Sequence, residues 1–238
     1  MNTQQDRKNR GTGEGVPRRD FLKIAGIFAV SGGTSDYFIS TADGKEGIPA
    51  SGGYILVDTK KCQGCVSCML ACSLVHEGET NLSLSRIQVL QNPFEKWPDD
   101  LTIEQCRQCV DPACVNTCPT GAIQADTKHG NVRAIDTDKC IGCGACIKSC
   151  PYKPSRPVMA PDKNFDNNLK ARKCDLCAGA KHHWDKTGVG PGKKQACVEV
   201  CPVGAISFTT KIPVQKGDSG YKVNLRRRRW RELGYPSY

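Results

Sequence analysis

Sixteen cysteines in a chain of 238 residues constrain this sequence more than any other feature. Thiols at fixed spacings close a chain on covalent bridges or metal, whatever its apolar content. They fall into four groups. The first is Cys62, Cys65, Cys68 and Cys72, with gaps of two, two and three residues. The third, Cys140, Cys143, Cys146 and Cys150, repeats those gaps and is followed by Pro151. The second, Cys106, Cys109, Cys114 and Cys118, has a middle gap of four and is followed by Pro119. The fourth is Cys174 and Cys177, then, after nineteen residues, Cys197, Cys201 and Pro202. Two groups run on into nearly the same phrase, Cys118-Pro119-Thr120-Gly121-Ala122-Ile123 and Cys201-Pro202-Val203-Gly204-Ala205-Ile206. In this internal repeat the glycine permits a sharp turn and Ala-Ile begins a strand.

Composition explains the need for so many thiols. Leu, Ile, Val and Phe number 47 of 238, and the formal net charge is +10, close to the range in which a chain fails to build a core. Cross-links or metal can replace the missing apolar burial. Three chemistries compete. A disulfide scaffold scatters cysteines through the short loops of a smaller secreted chain. Structural zinc takes two pairs, or a pair with histidines, around one ion. The gaps of two, two and three are instead the bacterial ferredoxin run, in which the fourth cysteine ligates the other cluster of a pair. Three thiols on a tight loop wrap one cube, and the fourth, a helical turn further on, points away from it. Four groups with no cysteine left over point to iron-sulfur clusters.

Residues 1–42 read differently from the rest. Pro17-Arg18-Arg19-Asp20-Phe21-Leu22-Lys23 leads into a mild apolar run from Ile24 to Val30. This resembles a twin-arginine export signal, with Ser40-Thr41-Ala42 as a processing site. The alternative is a disordered basic arm. The run is too short for a bilayer, which needs about 20 residues, so membrane attachment is expected only through a partner. Export in the folded state suits this chain, because clusters are inserted in the reducing cytoplasm before the protein meets an oxidising compartment. A periplasmic location is expected. Residues 43–52 read as a linker, 53–210 as the cluster-bearing body and 211–238 as a basic polar tail. Short strands are expected at 54–58, 86–90, 132–136 and 205–208. Helical turns are expected near the later cysteines of each group, as at 144–150, stopping at the prolines.

Residues 53–210 resemble the four-cluster iron-sulfur subunits that accompany molybdenum or tungsten pterin enzymes, such as dimethyl sulfoxide, polysulfide, tetrathionate and arsenate reductases. The likeness rests on Asp58-Thr59-Lys60-Lys61-Cys62, on Cys109-Val110-Asp111-Pro112-Ala113-Cys114-Val115, on Asp138-Lys139-Cys140-Ile141-Gly142-Cys143-Gly144-Ala145-Cys146, and on Lys173-Cys174-Asp175-Leu176-Cys177. It implies an α+β fold of two nested ferredoxin-like 2[4Fe-4S] units. The outer unit comprises 53–105 and 151–210, and the inner unit is 106–150. The resemblance further implies four ligand sets. Cys62, Cys65, Cys68 and Cys201 form one, and Cys174, Cys177, Cys197 and Cys72 its partner. Cys106, Cys109, Cys114 and Cys150 form the third, and Cys140, Cys143, Cys146 and Cys118 the fourth. Some relatives replace a cysteine and carry a three-iron cluster; every position here is cysteine, so four [4Fe-4S] clusters are expected. The implied partners are a molybdenum- or tungsten-pterin catalytic subunit and a membrane quinone-linked or cytochrome subunit. The sequence departs from the pattern at Ser73, where the other groups have Pro. The segment 73–90, with His76-Glu77-Gly78, is also similar to iron-sulfur subunits paired with tungsten aldehyde oxidoreductases.

The remaining features weigh less. With sixteen thiolates available, His76, His129, His182 and His183 are expected at the surface or in packing; His76, near the first group, is the one placed to donate to a cluster sulfur. The insertion 178–196 is expected to be a surface loop, with docking as the functional alternative. The tail Arg226-Arg227-Arg228-Arg229-Trp230-Arg231 invites a nucleic-acid reading. Charge argues against it: residues 1–42 hold six basic and four acidic residues, leaving +8, and four oxidised cubanes with their thiolates contribute roughly −8. No nucleophile-base constellation, nucleotide loop or pterin site is present, so the expected role is non-catalytic electron transfer. A cluster-bearing regulatory or assembly protein and a zinc-binding module are the competing classes.

Overall fold

A computed structural model describes residues 47–185, 190 and 194–226. The chain divides into two units, Met1–Asp36 and Tyr37–Tyr238; the first, with the export signal expected over 1–42, lies outside the described residues, as does the arginine run beyond Arg226. Among the described residues no helix is long and apolar enough to cross a membrane.

The spacers between cysteine groups are short, and each folds into the smallest unit that satisfies its backbone, a two-stranded antiparallel ladder. Between the first and second groups, β2 (Gln88–Gln91) pairs with β3 (Leu101–Glu104). Between the second and third, β4 (Ile123–Asp126) pairs with β5 (Val132–Ile135). Between the third and fourth, β6 (Val158–Asp162) pairs with β7 (Asn168–Arg172). The circuit closes where β1 (Tyr54–Val57), before the first group, pairs with β8 (Ile206–Thr209), after the last. Four helices carry the later cysteines: α1 (Ser67–Glu77), α2 (Ala113–Asn116), α3 (Ala145–Ser149) and α4 (Ala196–Glu199). α1 packs against α4, and α2 against α3. The first and last cysteine groups therefore face each other, as do the middle two, in an α+β arrangement of short elements.

Two expected strands start later than their β-branched content suggests, for one reason. Arg86 and Ala205 give their backbone N–H groups to the sulfurs of Cys72 and Cys201, at 3.3 and 3.2 Å, so each ladder begins beyond them. β3, β6 and β7 were not expected. β6 contains Pro161, which reads as a strand breaker but is tolerated in a ladder with one neighbour. The β4–β5 and β6–β7 turns share a device: Asp126 and Asp162 each accept the N–H two residues on, at 3.0 Å, and a left-handed Gly130 or Asp166 follows. Ser73, in place of proline, lets α1 continue to Glu77 and end on left-handed Gly78.

The core is thin. Of twenty-nine buried hydrophobic side chains among the described residues, nine are cysteine and seven alanine. Part of the expected tail belongs to the body. Tyr221 is fully buried, Val57 and Val223 bond through their backbones, and Asp58 accepts from the Leu225 N–H and the Arg226 guanidinium.

Gly142, in the third cysteine group, is demanded by close approach. Gly142 has φ +73°, and a Cβ there would run into the Leu169 carbonyl oxygen of β7. Gly144 has φ +71° with nothing within 4 Å. Gly142→Ala is expected to cost more than the ~1–2 kcal/mol of a left-handed residue alone, and Gly144→Ala about that amount. Denaturation midpoints of the two loaded variants check the order.

Candidate metal centres

Each cysteine group turns on a left-handed residue two places after its first cysteine. These are Gly64 (φ 68°), Gln108 (48°), Gly142 (73°) and Leu176 (54°). Left-handed backbone is costly for a side chain such as leucine, and its recurrence in every group marks one shared loop geometry. The turn folds the loop so that thiols two residues apart face a common centre. Gln108 and Leu176 hide this signal in the sequence, because neither is glycine.

Two of the expected sets line cavities. Cys72, Cys174, Cys177 and Cys197 surround a void of about 350 Å³, with His76 and Arg86 in its wall. Cys118, Cys140, Cys143 and Cys146 surround another of about 320 Å³, against Met159 and Ala171. The remaining cysteines reveal their neighbours through mutual charge. Burial, then the charges of Cys62, Cys201 and Cys65, push the Cys68 thiol up to about 12. Burial, then Cys106, with Cys109 and Cys150 adding and Lys173 opposing, push Cys114 up to about 12. Two of the four sets named from the sequence thus line a cavity each, and Cys68 and Cys114 lie within electrostatic reach of other members of theirs. Among the described residues no three His, Cys, Asp or Glu side chains converge as a single ion requires; the thiols ring a void instead.

The fourth cysteine of each group receives polarising hydrogen bonds. Besides Cys72 and Cys201, the Cys150 sulfur accepts the Arg156 N–H at 3.3 Å. Burial opposes ionisation of Cys118, but the Ile123 N–H and the Thr120 hydroxyl outweigh it and lower its pKa. Such donors favour thiolate, the form that ligates metal.

A buried ionic chain backs Cys72. His76 Nδ1 lies 2.8 Å from the Cys72 carbonyl oxygen and 3.8 Å from its sulfur, and Nε2 lies 2.9 Å from Asp175. Asp175 also takes Arg86 at 2.7 Å and the backbone N–H groups of Cys177 and Gly179 at 3.1 and 2.9 Å. Glu77 bridges Arg86 and Arg172 at 3.6 and 2.6 Å. Burial by itself would lower the His76 pKa, but the Asp175 carboxylate raises it to about 9. Asp175, despite burial, is held well below the usual carboxylate range by Arg86 and His76. His76 and His183 are buried rather than at the surface, and His129 pairs with Asp126 at 2.6 Å. Sequence reasoning singled out His76 but gave no individual role to Asp175, Arg86, Lys173 or Arg133. Lys173 is 2% exposed, and its partners are the carbonyls of Arg133 and Cys174 and the Cys106 sulfur. A buried ammonium held this way calls for an anionic centre beside it, so the site fits an iron-sulfur cluster with its thiolates.

Comparison with known proteins agrees with this geometry. Residues 99–211 match the 4Fe-4S dicluster domain family. Protein NrfC of Escherichia coli K12 is 33% identical over 197 residues, covering 80% of this chain and 78% of NrfC. The Hydrogenase-2 operon protein HybA of Escherichia coli O157:H7 is 32% identical over 218 residues, 82% of this chain; the chain spans 62% of HybA's length. The polyferredoxin-like subunit of an aliphatic sulfonate oxidoreductase of Pyrococcus furiosus is 37% identical over 148 residues, 62% of this chain and 70% of that one. The left-handed thiol loops, the cysteine-lined voids and these similarities converge: the chain carries a 4Fe-4S dicluster domain over residues 99–211 and belongs to the family of Protein NrfC.

Proposed function

We propose that this chain is a one-electron relay in an oxidoreductase complex, with its sixteen cysteines holding four [4Fe-4S] clusters. The ligand sets are those the cysteine geometry favours: Cys62, Cys65, Cys68 and Cys201; Cys72, Cys174, Cys177 and Cys197; Cys106, Cys109, Cys114 and Cys150; and Cys118, Cys140, Cys143 and Cys146. When bound, such clusters each supply a reversible one-electron carrier whose potential follows its surroundings. The chain's own residues hold the thiols, donate N–H groups to them and exclude water.

What supports this reading is that cysteines of successive sets lie within electrostatic reach of one another, as a row of sets requires. Cys197 feels the charge of Cys68 from the set before it, and Cys174 feels that of Cys106 from the set after it. The third and fourth sets share the packed helices α2 and α3. Exposed cysteines are confined to the two terminal sets, Cys65 at one end and Cys143 at the other, which suits entry of electrons at one end and exit at the other. The row corresponds to an inner unit, 106–150, nested in an outer one.

The complex this reading implies pairs the chain with a molybdenum- or tungsten-pterin subunit and a quinone-linked or cytochrome subunit, after twin-arginine export to the periplasm. The segment 73–90, similar to iron-sulfur subunits paired with tungsten aldehyde oxidoreductases, favours a partner of that kind as a second reading. Anaerobic purification of the full chain is expected to give about sixteen irons and as much sulfide, and redox titration four one-electron centres; a zinc-only preparation would sink the relay. Native purification from the periplasmic fraction, with the co-purifying large subunit and its metal identified, decides between the two partner readings; recovery of the chain alone in the cytoplasm contradicts both.

A further inference from the structure

At the junction of two cysteine sets lies a lysine with no assigned role. The Lys173 ammonium donates to the Cys106 sulfur at 3.5 Å, to the Cys174 carbonyl at 3.2 Å and to the Arg133 carbonyl. Cys106 and Cys174 belong to different sets, so one buried cation touches both. Gln108 spans the same junction: its amide N–H donates to the Cys174 carbonyl at 2.9 Å, and its Oε1 accepts the Arg133 N–H at 2.7 Å. Arg133, 1% exposed, adds a second cation, whose guanidinium donates to the carbonyls of Cys109, Pro49 and Asn131.

The cations beside Cys72 are different. Arg86 and His76 face Asp175, and Arg86 also faces Glu77, so their charge is largely neutralised within the protein. Lys173 and Arg133 meet carbonyls and a thiol, and their charge acts on whatever Cys106 and its companions hold. A fixed positive charge favours the more negative state of a neighbouring redox centre, which is the state with the added electron. Hydrogen bonding to a ligand sulfur acts in the same direction.

We propose that Lys173 is a positioning residue that bridges the Cys106 and Cys174 sets and holds the centre on Cys106, Cys109, Cys114 and Cys150 at a raised potential, making it the electron-rich station of the row. The change concerned is the gain of one electron there, supplied by a neighbouring centre that loses it, with no bond made or broken. The inference rests on the relay reading.

The test is a potentiometric titration of the full-length loaded protein followed by electron paramagnetic resonance, with Lys173→Met and Lys173→Arg alongside. The Met variant is expected to shift one midpoint potential downward and leave those of the terminal sets in place, while the Arg variant stays near the parent. Unchanged potentials in Lys173→Met overturn the inference, as does an equal shift in Lys173→Arg, which would assign the effect to packing rather than charge. If Lys173→Met loads less iron than the parent, Lys173→Gln serves as the uncharged comparison under the same criterion. Failure of the relay reading looks different: the parent itself would show no iron-sulfur centres to titrate.

Discussion

Stripped of iron by a chelator under anaerobic, reducing conditions, the protein is expected to lose its cooperative fold. The buried apolar set explains why. Nine of its twenty-nine members are cysteines and seven are alanines, so without clusters the chain keeps voids of about 350 and 320 Å³, each with four thiols in its wall. The proposed sets would also hold distant segments together, Cys62 with Cys201 and Cys72 with Cys197, across loops of more than a hundred residues. Reopening such loops restores their conformational entropy to the unfolded chain. For scale, structural metal contributes about 10–16 kcal/mol in small metal-folded domains, against a total stability of about 5–15 kcal/mol for an ordinary domain. Circular dichroism through a thermal scan is the measurement. A sharp, cooperative melt after complete iron removal would show that the polypeptide folds without its clusters.

Asp175→Ala is the point substitution expected to do most damage. The Asp175 carboxylate accepts from His76, from Arg86 and from the backbone N–H groups of Cys177 and Gly179. Its removal leaves buried His76 without its anion and part-buried Arg86 with Glu77 alone, and breaking a buried pair costs about 3–5 kcal/mol. It also unties the turn that presents Cys174 and Cys177. The loaded variant is expected to lose about a quarter of its iron, the complement of one cluster of four, along with that stability. Asp175→Asn keeps an oxygen for only one of the two backbone donors, which use separate carboxylate oxygens, and removes the charge; a smaller loss than in Asp175→Ala is expected. Iron per chain and the denaturation midpoint, measured on both variants, check the ranking. Full iron and an unchanged midpoint in Asp175→Ala would show that the ionic chain is dispensable.

Much of the fold was legible because cysteine spacing is a local property. β1, β5 and α3 lie where alternation or the third cysteine group placed them. β6 was not legible, because Pro161 argues against a strand and only the single-neighbour ladder with β7 excuses it. The length of α1 followed from Ser73, a departure visible in the sequence whose consequence was not. The partly buried tail was read as solvated because Gln215, Asp218 and Lys222 are polar. Tyr221, buried with its hydroxyl on the Arg107 carbonyl at 2.7 Å, anchors the segment instead.

By itself the sequence determined that this chain is organised around metal-binding thiols in four groups of ferredoxin spacing, because gaps of two and three residues limit where neighbouring sulfurs can point whatever surrounds them. Tertiary structure decided what no spacing carries. It set which group's fourth thiol faces which neighbour, since that depends on α1 meeting α4 and α2 meeting α3. It put left-handed turns at Gln108 and Leu176, where no glycine announces them. It also buried Lys173, Arg133 and Asp175 beside the cysteines, because a charge enters the interior only where the fold supplies partners that outweigh its desolvation.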